Sequence, residues 1–450
     1  MIVKEKCAEY TPEKTTEITG VPAETIRELA DIYENGPVTT LTLYGMDHYV
    51  NGHYNYVDMF TLSLMTNNVG RPGASMARGF DFPLTIANMA GCLFPTGKDG
   101  KPVPGAGPTY VVNKFNEILD TGKYGDADAP WNGLFITGHG LVSTGANRPR
   151  IVESLKKIPF IVGSDIWLTE TMKYCDIVLP NCSWFEHTEI LGAWQGHPYM
   201  LYQAPVIEPL YESKGSFEIY QLLSEKLGCG EFFDMTEDDY VSLWLDTDEA
   251  RRLGITLETL KENGAMMFMP KEDFISGEGG IFATPDTRAQ LYKEAPVSDF
   301  PQGDVEIDAS KELTVYWEPA MEADVNSPVR EQFPFHAMNE HMRTRNHTQW
   351  FGIGQLQEYY PEPFARMNPE DAAELGIEEG DTIKIYNDRG YVTMKATITG
   401  GYPRKMIGIP RGHMDHEFID GHFCNISNDT YNQCCANQAF SDQAVAIEKL

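Results

Sequence analysis

Two glycines and an asparagine follow the predicted strand Leu134 to Thr137. The sequence continues as Gly138-His139-Gly140, and Asn147 comes shortly afterwards. Glycine allows a backbone to approach a ligand closely, and free N–H groups at the start of a helix bind anions such as phosphate. The residue types after this strand therefore predict a binding site for an anionic group.

An aspartate and two threonines follow the next predicted strand, Phe160 to Gly163. Asp165 stands at its end, and Thr169 and Thr171 open the following helix. A carboxylate accepts hydrogen bonds from N–H and hydroxyl groups, and a threonine hydroxyl can donate to phosphate oxygens. Helix capping is the plainer interpretation of Asp165, because aspartate is among the residues that cap helices most often.

A polar, partly basic run stands out in the second half of the chain. Arg343 and Arg345 carry forked N–H donors that match phosphate or carbonyl oxygens. A solvated basic segment is the alternative, although this chain has few basic clusters. The residues of the run that we predict to contact a ligand are Arg343, Arg345, His347, Thr348 and Gln349.

Further polar candidates lie near the C-terminal end. Asn387 and Arg389 belong to the sequence Asn-Asp-Arg-Gly, for which turn formation is an equally good explanation. The amide side chains of Asn425, Asn428 and Asn432 could read the hydrogen-bonding edges of a ring system, and the residues alone do not decide which of them does so.

Histidine supplies the candidates for acid–base chemistry. His187 follows Glu186 after a predicted strand end, and His413 follows a strand of the last unit. Either imidazole could face a substrate as an acid or base, and a structural role is the alternative for both. Gly45 and His48, in a loop after the first predicted strand, are assigned to ligand binding rather than to catalysis.

The charge of the chain narrows the possible partners. Lysine and arginine total 35 against 66 aspartates and glutamates, a formal net charge of -31. Such a surface repels nucleic acid, so nucleic acid is not an expected partner. No apolar run reaches the roughly 18 residues of a membrane span, and none of the eight cysteines forms a C-x-x-C spacing.

The elements that must position these residues alternate between strand and helix in the first half. Short apolar strands, each followed by a helix, predict a doubly wound, mostly parallel α/β domain over residues 1–215. Its insertion from about Gly70 to Trp131 is rich in glycine and proline and is expected to line a site. Residues 216–330 begin with a helix from Phe217 to Lys226 and then lose clear periodicity, so we interpret them as a connecting segment.

The last unit, residues 331–450, has a different pattern. Asn368-Pro369 predicts a helix start and Gly376 its end. Alternating apolar residues on both sides of the turn at Asn387 to Gly390 predict a hairpin with one buried face. Further strands at Met406 to Ile409 and Ala444 to Glu448 predict a small closed β-barrel, six-stranded and of the double-psi type.

Four blocks of sequence resemble the dimethyl sulfoxide reductase superfamily, in the part that binds the molybdopterin dinucleotide. They are YGMDHYVNG at 44–52 with NNVGRPGA at 67–74, GSDIWLTET at 163–171, CDIVLP at 175–180, and LGIEEGDTIKI at 375–385 with NDRG at 387–390. Met172 and Cys175 stand where the superfamily often has alanine. The blocks occur in the superfamily's order and extend over almost the whole chain.

The resemblance implies a bis(molybdopterin guanine dinucleotide) cofactor carrying molybdenum or tungsten. Asp165 is then placed to pair with guanine or ribose, the glycine loops approach the pyrophosphate, and the run around Arg343 and Arg345 meets the pterin. A [4Fe-4S] cluster and the metal-ligating residue are expected in an N-terminal region outside this chain, and no residue of this chain is expected to ligate the metal. The chain is accordingly expected to be an incomplete and inactive part of an enzyme.

The implied activity is transfer of an oxygen atom or hydroxyl group coupled to electron transfer. Trp184, Trp194, Tyr199 and Trp350 suit an aromatic substrate, so reductive dehydroxylation of a phenol is one subclass. Expected partners are a small-molecule substrate and an iron–sulfur electron-transfer subunit, whereas the compartment cannot be assigned. A non-redox hydratase or transhydroxylase on the same cofactor, or a metal-free binding or assembly subunit, is the alternative.

Overall fold

The α/β unit is built on a parallel sheet whose strands follow the predicted order. The strand Ile161–Asp165 lies between Leu134–Thr137 and Ile177–Pro180 and runs parallel to both. Gly163 occupies the middle of the central strand, where a Cβ would lie 2.3 Å from the sulfur of Met172. The glycine therefore lets Met172, which is 1% exposed, pack directly against the sheet.

The computed structural model describes residues 2–42, 44–77, 112–124, 127–191, 199–268, 277–282, 284–294, 308, 310–432 and 437–450. Much of the insertion that we expected to line a site, together with Cys92, Trp194, Cys434 and Cys435, lies outside these residues. Apolar side chains from the sheet and the helix Arg148–Leu155 form the core of the α/β unit. They include Ile136, Val142, Ile151, Leu155, Ile161 and Met172.

Residues 216–268 form three short helices after the helix Ser216–Leu227, in a stretch where the sequence shows no clear periodicity. The helices Glu237–Trp244, Asp248–Arg252 and Leu257–Asn263 have only five to eight residues each. Two turns are too few to display a repeating apolar pattern, which explains why the pattern did not predict them. Their apolar faces meet strands Tyr199–Gln203 and Ala265–Met267 in a separate core, whereas the role of residues 216–330 as a connecting segment stays a prediction.

The last unit is a closed six-stranded β-barrel. Around the barrel the strand order is Phe364–Met367, Met406–Pro410, Phe335–Glu340, Ala444–Lys449, Thr382–Tyr386 and Tyr391–Ile398, and the last strand pairs with the first. Neighbouring pairs are antiparallel except Phe335–Glu340 with Met406–Pro410 and Phe364–Met367 with Tyr391–Ile398. The prediction of an α/β unit with parallel strands followed by a six-stranded barrel is confirmed.

Alternation of apolar and polar residues fills the barrel interior. Ile383, Ile385, Met394 and Ile407 are no more than 1% exposed and belong to one core. The helix Pro369–Leu375 begins where predicted, because the Asn368 side chain accepts a hydrogen bond from the Glu370 N–H. No helix in the described ranges is both long and apolar enough to cross a membrane.

The elements have the following bounds. The remaining helices are Ile2–Cys7, Pro12–Thr19, Ala23–Asn35, His53–Met65, Phe115–Thr121, Leu141–Thr144 and Gly354–Gln357. Short 3-10 turns are Val112–Lys114, Met172–Tyr174, Gly230–Phe232, Glu278–Gly280, Pro328–Glu331, Asp415–Glu417 and Phe423–Asn425. The remaining strands are Thr39–Leu41, Ser75–Ala77, Lys123–Tyr124, Ala127–Asp128, Glu189–Leu191 and Asp420–Gly421.

We predict that Asn387→Ala destabilises the protein by about 2–3 kcal/mol, because buried polar groups lose their partners. The Asn387 amide donates to the carbonyls of Ile426 (2.8 Å) and Ala444 (3.1 Å) and accepts from the Arg389 N–H (3.1 Å). Asp388 is the matched control, since its side chain is 72% exposed. Urea unfolding that gives equal losses for Asn387→Ala and Asp388→Ala would contradict this role.

Candidate functional site

The glycine loop of the α/β unit lies against the barrel's polar run. Gly138 has a φ of 54° and its N–H donates to the Ser164 carbonyl (2.9 Å), so the loop is tied to the neighbouring strand. A Cβ on Gly140 would lie 3.6 Å from the Thr348 hydroxyl oxygen. The structure therefore brings Gly140, at the end of the Gly138–Gly140 loop, next to Thr348, a residue more than two hundred positions away.

Asp165 lies at the carboxyl end of the central strand, as predicted. One carboxylate oxygen accepts hydrogen bonds from the N–H groups of Ile166 (2.7 Å) and Trp167 (3.4 Å). Burial raises the pKa of Asp165, and these two hydrogen bonds oppose that effect. No hydrogen bond from a described residue reaches the second oxygen, so it is available to an N–H donor of a ligand.

The two threonines beyond Asp165 are buried. The Thr169 hydroxyl accepts from the Met172 N–H at 3.4 Å, and the Thr171 hydroxyl accepts from the Val142 N–H at 3.0 Å. Thr171 has no exposed surface. In this structure Thr171 anchors the helix that follows the glycine loop, and phosphate binding by either threonine stays a prediction.

Asn147 connects the α/β unit to the loop after the barrel's last 3-10 turn. Its backbone has a φ of 51°, which asparagine tolerates better than most residues. Its N–H donates to the Ser427 carbonyl (3.0 Å), and its side-chain amide donates to Asp429 (3.1 Å). Arg150 also reaches Asp429 at 2.8 Å. Asn147 therefore lies at the contact between the two units.

Charged side chains that sequence reasoning missed cross the same contact, which we call the seam. Arg148 of the α/β unit donates to Asp415 of the barrel at 2.6 Å. Glu170 is 2% exposed and contacts Lys173. Burial and a hydrogen bond to Asp415 raise the pKa of Glu170, whereas hydrogen bonds from Glu170 and Arg148 lower the pKa of Asp415 against the effect of burial.

Glu170 stands within the Thr-Glu-Thr block, so its position was visible in the sequence. Arg148 and Asp415 carried no local signal, because the two are separated by more than 260 residues. Their pairing follows only from the docking of the barrel on the α/β unit.

Arg345 is engaged inside the barrel unit. Its guanidinium forms a bidentate ion pair with Glu417 and also donates to the Gly412 carbonyl (3.1 Å). The side chains of Arg345 and Glu417 are only 4% and 6% exposed. These contacts engage the Arg345 guanidinium with protein groups, and its ligand contact stays a prediction.

His413 is fully buried beside this ion pair. Its Nδ1 lies 3.4 Å from a Glu417 oxygen, and neither ring nitrogen makes a hydrogen bond within the described part of the chain. Burial lowers the pKa of His413. The His413 ring therefore lies in the protein interior in this structure, and its catalytic role stays a prediction.

A second buried imidazole has a defined tautomer. His422 Nδ1 accepts from the Cys424 N–H (3.1 Å), so Nε2 carries the proton and donates to the His413 carbonyl (3.0 Å). Burial lowers the pKa of His422 to about 4. Cys424 in turn contacts the Ser143 carbonyl across the seam through its thiol. The loop of residues 411–424 is therefore held by neutral and paired groups.

The rest of the basic run is exposed. The Arg343 side chain reaches solvent, and no hydrogen bond or ion pair joins it to another described residue. His347 has a φ of 54°, and its ring lies 4.9 Å from that of His341 and in contact with Arg411. Gln349 is also exposed. Arg343, His347, Thr348 and Gln349 remain available to a ligand.

The predicted ligand-binding side chains near the C-terminal end form hydrogen bonds and ion pairs with other residues of the chain. Arg389 forms a bidentate ion pair with Glu322 at 2.9 and 3.0 Å, and Asn428 donates to the same glutamate at 3.2 Å. Asn387 and Asn425 donate to backbone carbonyls. These side chains fix the turn and the following loop, and ligand binding by them stays a prediction.

The first of the sequence blocks, at residues 44–52, packs on the last loop of the barrel unit. Gly45, with a φ of 134°, donates its N–H to Asp47, and the His48 ring lies 5.4 Å from that of Phe440. Asn432 is fully buried and donates to the Val50 carbonyl at 2.8 Å. The structure thus brings Gly45, His48 and Asn432 into one contact region. His187 lies elsewhere, in a cavity of its own that is described below.

The fold and the seam together define a class of protein: a parallel α/β unit and a closed barrel that join through polar side chains at the carboxyl ends of the strands, where nucleotides bind. Family models agree with this class. "Molybdopterin oxidoreductase" matches residues 40–226, and "Molydopterin dinucleotide binding domain" matches residues 335–445. The chain belongs to the dimethyl sulfoxide reductase family of molybdopterin oxidoreductases.

Relatives match along the length of the chain. A Halobacterium salinarum protein that is named as the catalytic chain of a dimethyl sulfoxide reductase is 26% identical over 99% of this chain and 51% of its own length. A trimethylamine-N-oxide reductase of Vibrio vulnificus is 26% identical over 90% of this chain and 53% of its own. The chain thus spans about half the length of these relatives.

A solved structure supports the same fold. Acetylene hydratase from Pelobacter acetylenicus has a TM-score of 0.59 and 18% sequence identity, over 75% of this chain and 46% of that protein. At this identity the likeness concerns the fold alone.

The Arg345–Glu417 pair leads to a pH prediction. The close contact with His413 and the hydrogen bonds from Arg345 and the Met414 N–H overcome the effect of burial and lower the pKa of Glu417 to about 2 from 4.5. Ionised Glu417 therefore stabilises the fold above about pH 4.5, and this contribution is lost as the pH falls toward 2. We expect Glu417→Gln to be less stable than wild type by about 3 kcal/mol at neutral pH, because Arg345 loses its partner.

The measurement is urea unfolding of both proteins at several pH values. The difference in unfolding free energy should shrink as the pH falls below about 4.5. Glu370→Gln is the control, since the Glu370 side chain is 75% exposed. A difference that stays constant with pH would show that the charge of Glu417 is not what stabilises the loop.

Proposed function

We propose that this chain supplies two walls for a molybdenum or tungsten bis(molybdopterin guanine dinucleotide) within an oxidoreductase. The reaction is transfer of an oxygen atom or hydroxyl group coupled to electron transfer. The single observation that carries the proposal is the close approach of Gly140 to Thr348. A Cβ placed on Gly140 would lie 3.6 Å from the Thr348 hydroxyl oxygen. This approach puts the strand-end loop of one unit beside the basic run of the other.

The donor set fits a dinucleotide. Asp165 has a carboxylate oxygen free to accept guanine N–H groups. No described atom lies within 4 Å of the position that a Cβ of Gly138 would occupy, so the loop leaves open space there. Arg343 can donate two parallel hydrogen bonds to phosphate or pterin oxygens. When bound, the metal supplies the change of oxidation state, while these residues bind and orient the cofactor.

The names of the relatives support the reaction class, since both describe the reduction of small oxygen-bearing molecules. We also propose that the complete enzyme holds an iron–sulfur cluster outside this chain. An iron–sulfur subunit would deliver its electrons, as the resemblance implies.

An aromatic surface next to the basic run supports a phenolic substrate. Trp184 and Trp350 are 52% and 45% exposed, and their rings lie 5.8 Å apart. Trp167 and Phe351 form a second ring contact at 5.4 Å. Exposed aromatic faces bind planar rings through stacking. We therefore propose reductive dehydroxylation of a phenol as the specific reaction, with this surface leading to the metal.

We predict that protein purified without oxygen contains molybdenum or tungsten and releases two guanosine monophosphates per metal on acid hydrolysis. Asp165→Asn should lower both contents at least about tenfold, because a carboxylate that accepts N–H bonds is lost. Metal analysis and chromatography of the nucleotide measure the effect. Asp128→Asn is the control, since Asp128 is exposed. Equal nucleotide content in both variants would overturn the role of Asp165.

Turnover separates the proposed reaction from the alternatives. With reduced methyl viologen as donor, the enzyme isolated with its associated subunits should oxidise viologen only when a catechol is present, and Trp184→Ala should raise the KM for that substrate. Product formation without any donor would favour a hydratase or transhydroxylase instead. A folded protein with neither metal nor pterin would favour a binding or assembly subunit.

A further inference from the structure

A separate cavity surrounds His187. It has a volume of about 230 Å³ and lies among the strand Glu189–Leu191, the start of the helix Ser216–Leu227 and the helix Glu237–Trp244. Three of its walls are aromatic, formed by Phe217, Tyr240 and Trp244. None of the lining residues belongs to the seam, so the function proposed above does not use this cavity.

The charges in the cavity do not balance. The His187 ring faces two acceptors, the Ser183 carbonyl and a Glu189 carboxylate oxygen, each at 2.9 Å. An imidazole satisfies two acceptors only when both nitrogens carry protons, so His187 is a cation that Glu189 neutralises. The hydrogen bond to Glu189 raises the pKa of His187 accordingly.

Glu237 gives the cavity one more carboxylate than cations, since His187 already pairs with Glu189. No hydrogen bond or ion pair connects the Glu237 carboxylate to another residue in the part of the chain that the structure describes. Burial raises the pKa of Glu237, and the nearby charge of His187 opposes that effect. It borders the cavity opposite His187, with Gly215 between them: a Cβ there would lie 3.5 Å from His187 and 3.6 Å from a Glu237 oxygen. No lysine or arginine is among the described residues that line the cavity.

The aromatic walls add two features. The rings of Phe217 and Tyr240 lie 5.3 Å apart, and ring faces attract cations. The indole Nε1 of Trp244 is buried and has no hydrogen-bond acceptor among the described residues. A buried donor without a partner is rare, and a ligand oxygen would satisfy it.

We propose that this cavity binds a small organic ammonium ion that carries an oxygen atom, a compound of the amino-alcohol class. Glu237 neutralises the ammonium group, the aromatic faces surround its alkyl substituents, and Trp244 donates to the oxygen. A metal ion is disfavoured, because the described residues contain no group of three ligands suited to one. An anion would meet an uncompensated carboxylate, and a neutral guest would leave that carboxylate without a partner.

The first test compares two ligands of the same shape on the wild-type chain by isothermal titration calorimetry. Choline carries the positive charge, and 3,3-dimethylbutan-1-ol has a carbon in place of its nitrogen. Choline should bind at least about tenfold more tightly, as expected for a charge-assisted contact. Equal affinities, or no binding of choline, would overturn the proposal without the need for any variant.

The second test assigns the contacts. Glu237→Gln should weaken choline binding about tenfold, whereas Glu262→Gln, which removes an exposed charge from the neighbouring helix Leu257–Asn263, should leave it unchanged. Trp244→Phe should weaken choline binding but not tetramethylammonium binding, because only choline has an oxygen to accept the indole hydrogen bond. Equal effects of the two glutamine variants would refute the assignment of Glu237.

Discussion

The ion pair between Arg148 and Asp415 joins the two units, and Arg148 depends on it because its side chain is only 12% exposed, whereas that of Asp415 is 38% exposed. Arg148 opens a helix of the α/β unit, and Asp415 lies on a loop of the barrel. Glu170 lies beside Asp415 and accepts hydrogen bonds from Lys173. Removing either unit would leave these charges uncompensated, so the seam orients the barrel over the strand ends and thereby brings Thr348 to Gly140.

The two arginines of the basic run, Arg343 and Arg345, have different functions. Arg345 forms an ion pair with Glu417 and donates to the Gly412 carbonyl, so it stabilises the loop that contains Gly412 and His413. A Cβ on Gly412 would fall 1.7 Å from the His347 carbonyl, so the loop and the run touch backbone to backbone. The internal pairing therefore fixes the path of the run, and Arg343 projects outward from it. One arginine positions the segment so that another can meet a ligand.

The sequence predicted the elements better than the partners of their side chains. Alternation around Ile383 and Met394 predicted the barrel hairpin, because one buried face imposes a period of two on the chain. Asp165 was placed correctly at a strand end by the same local logic. The partner of Arg345 could not be found this way, since Glu417 lies 72 residues later and the pair forms only when the barrel closes. The short helices after residue 236 have too few turns to show a period, and only their capping threonines at 236, 247 and 256 mark where they start.

The seam also explains how a chain with a net charge of -31 can offer a site to an anionic dinucleotide. Long-range repulsion is screened within about 10 Å at ordinary salt, so the charges nearest the site decide. Three carboxylates near the seam are compensated: Asp415 by Arg148, Glu417 by Arg345 and Glu322 by Arg389. Glu170 is paired with Lys173. The local field at the strand ends is then set by backbone N–H groups and the exposed guanidinium of Arg343, which favour phosphate, and by Asp165, whose carboxylate favours N–H donors such as those of guanine.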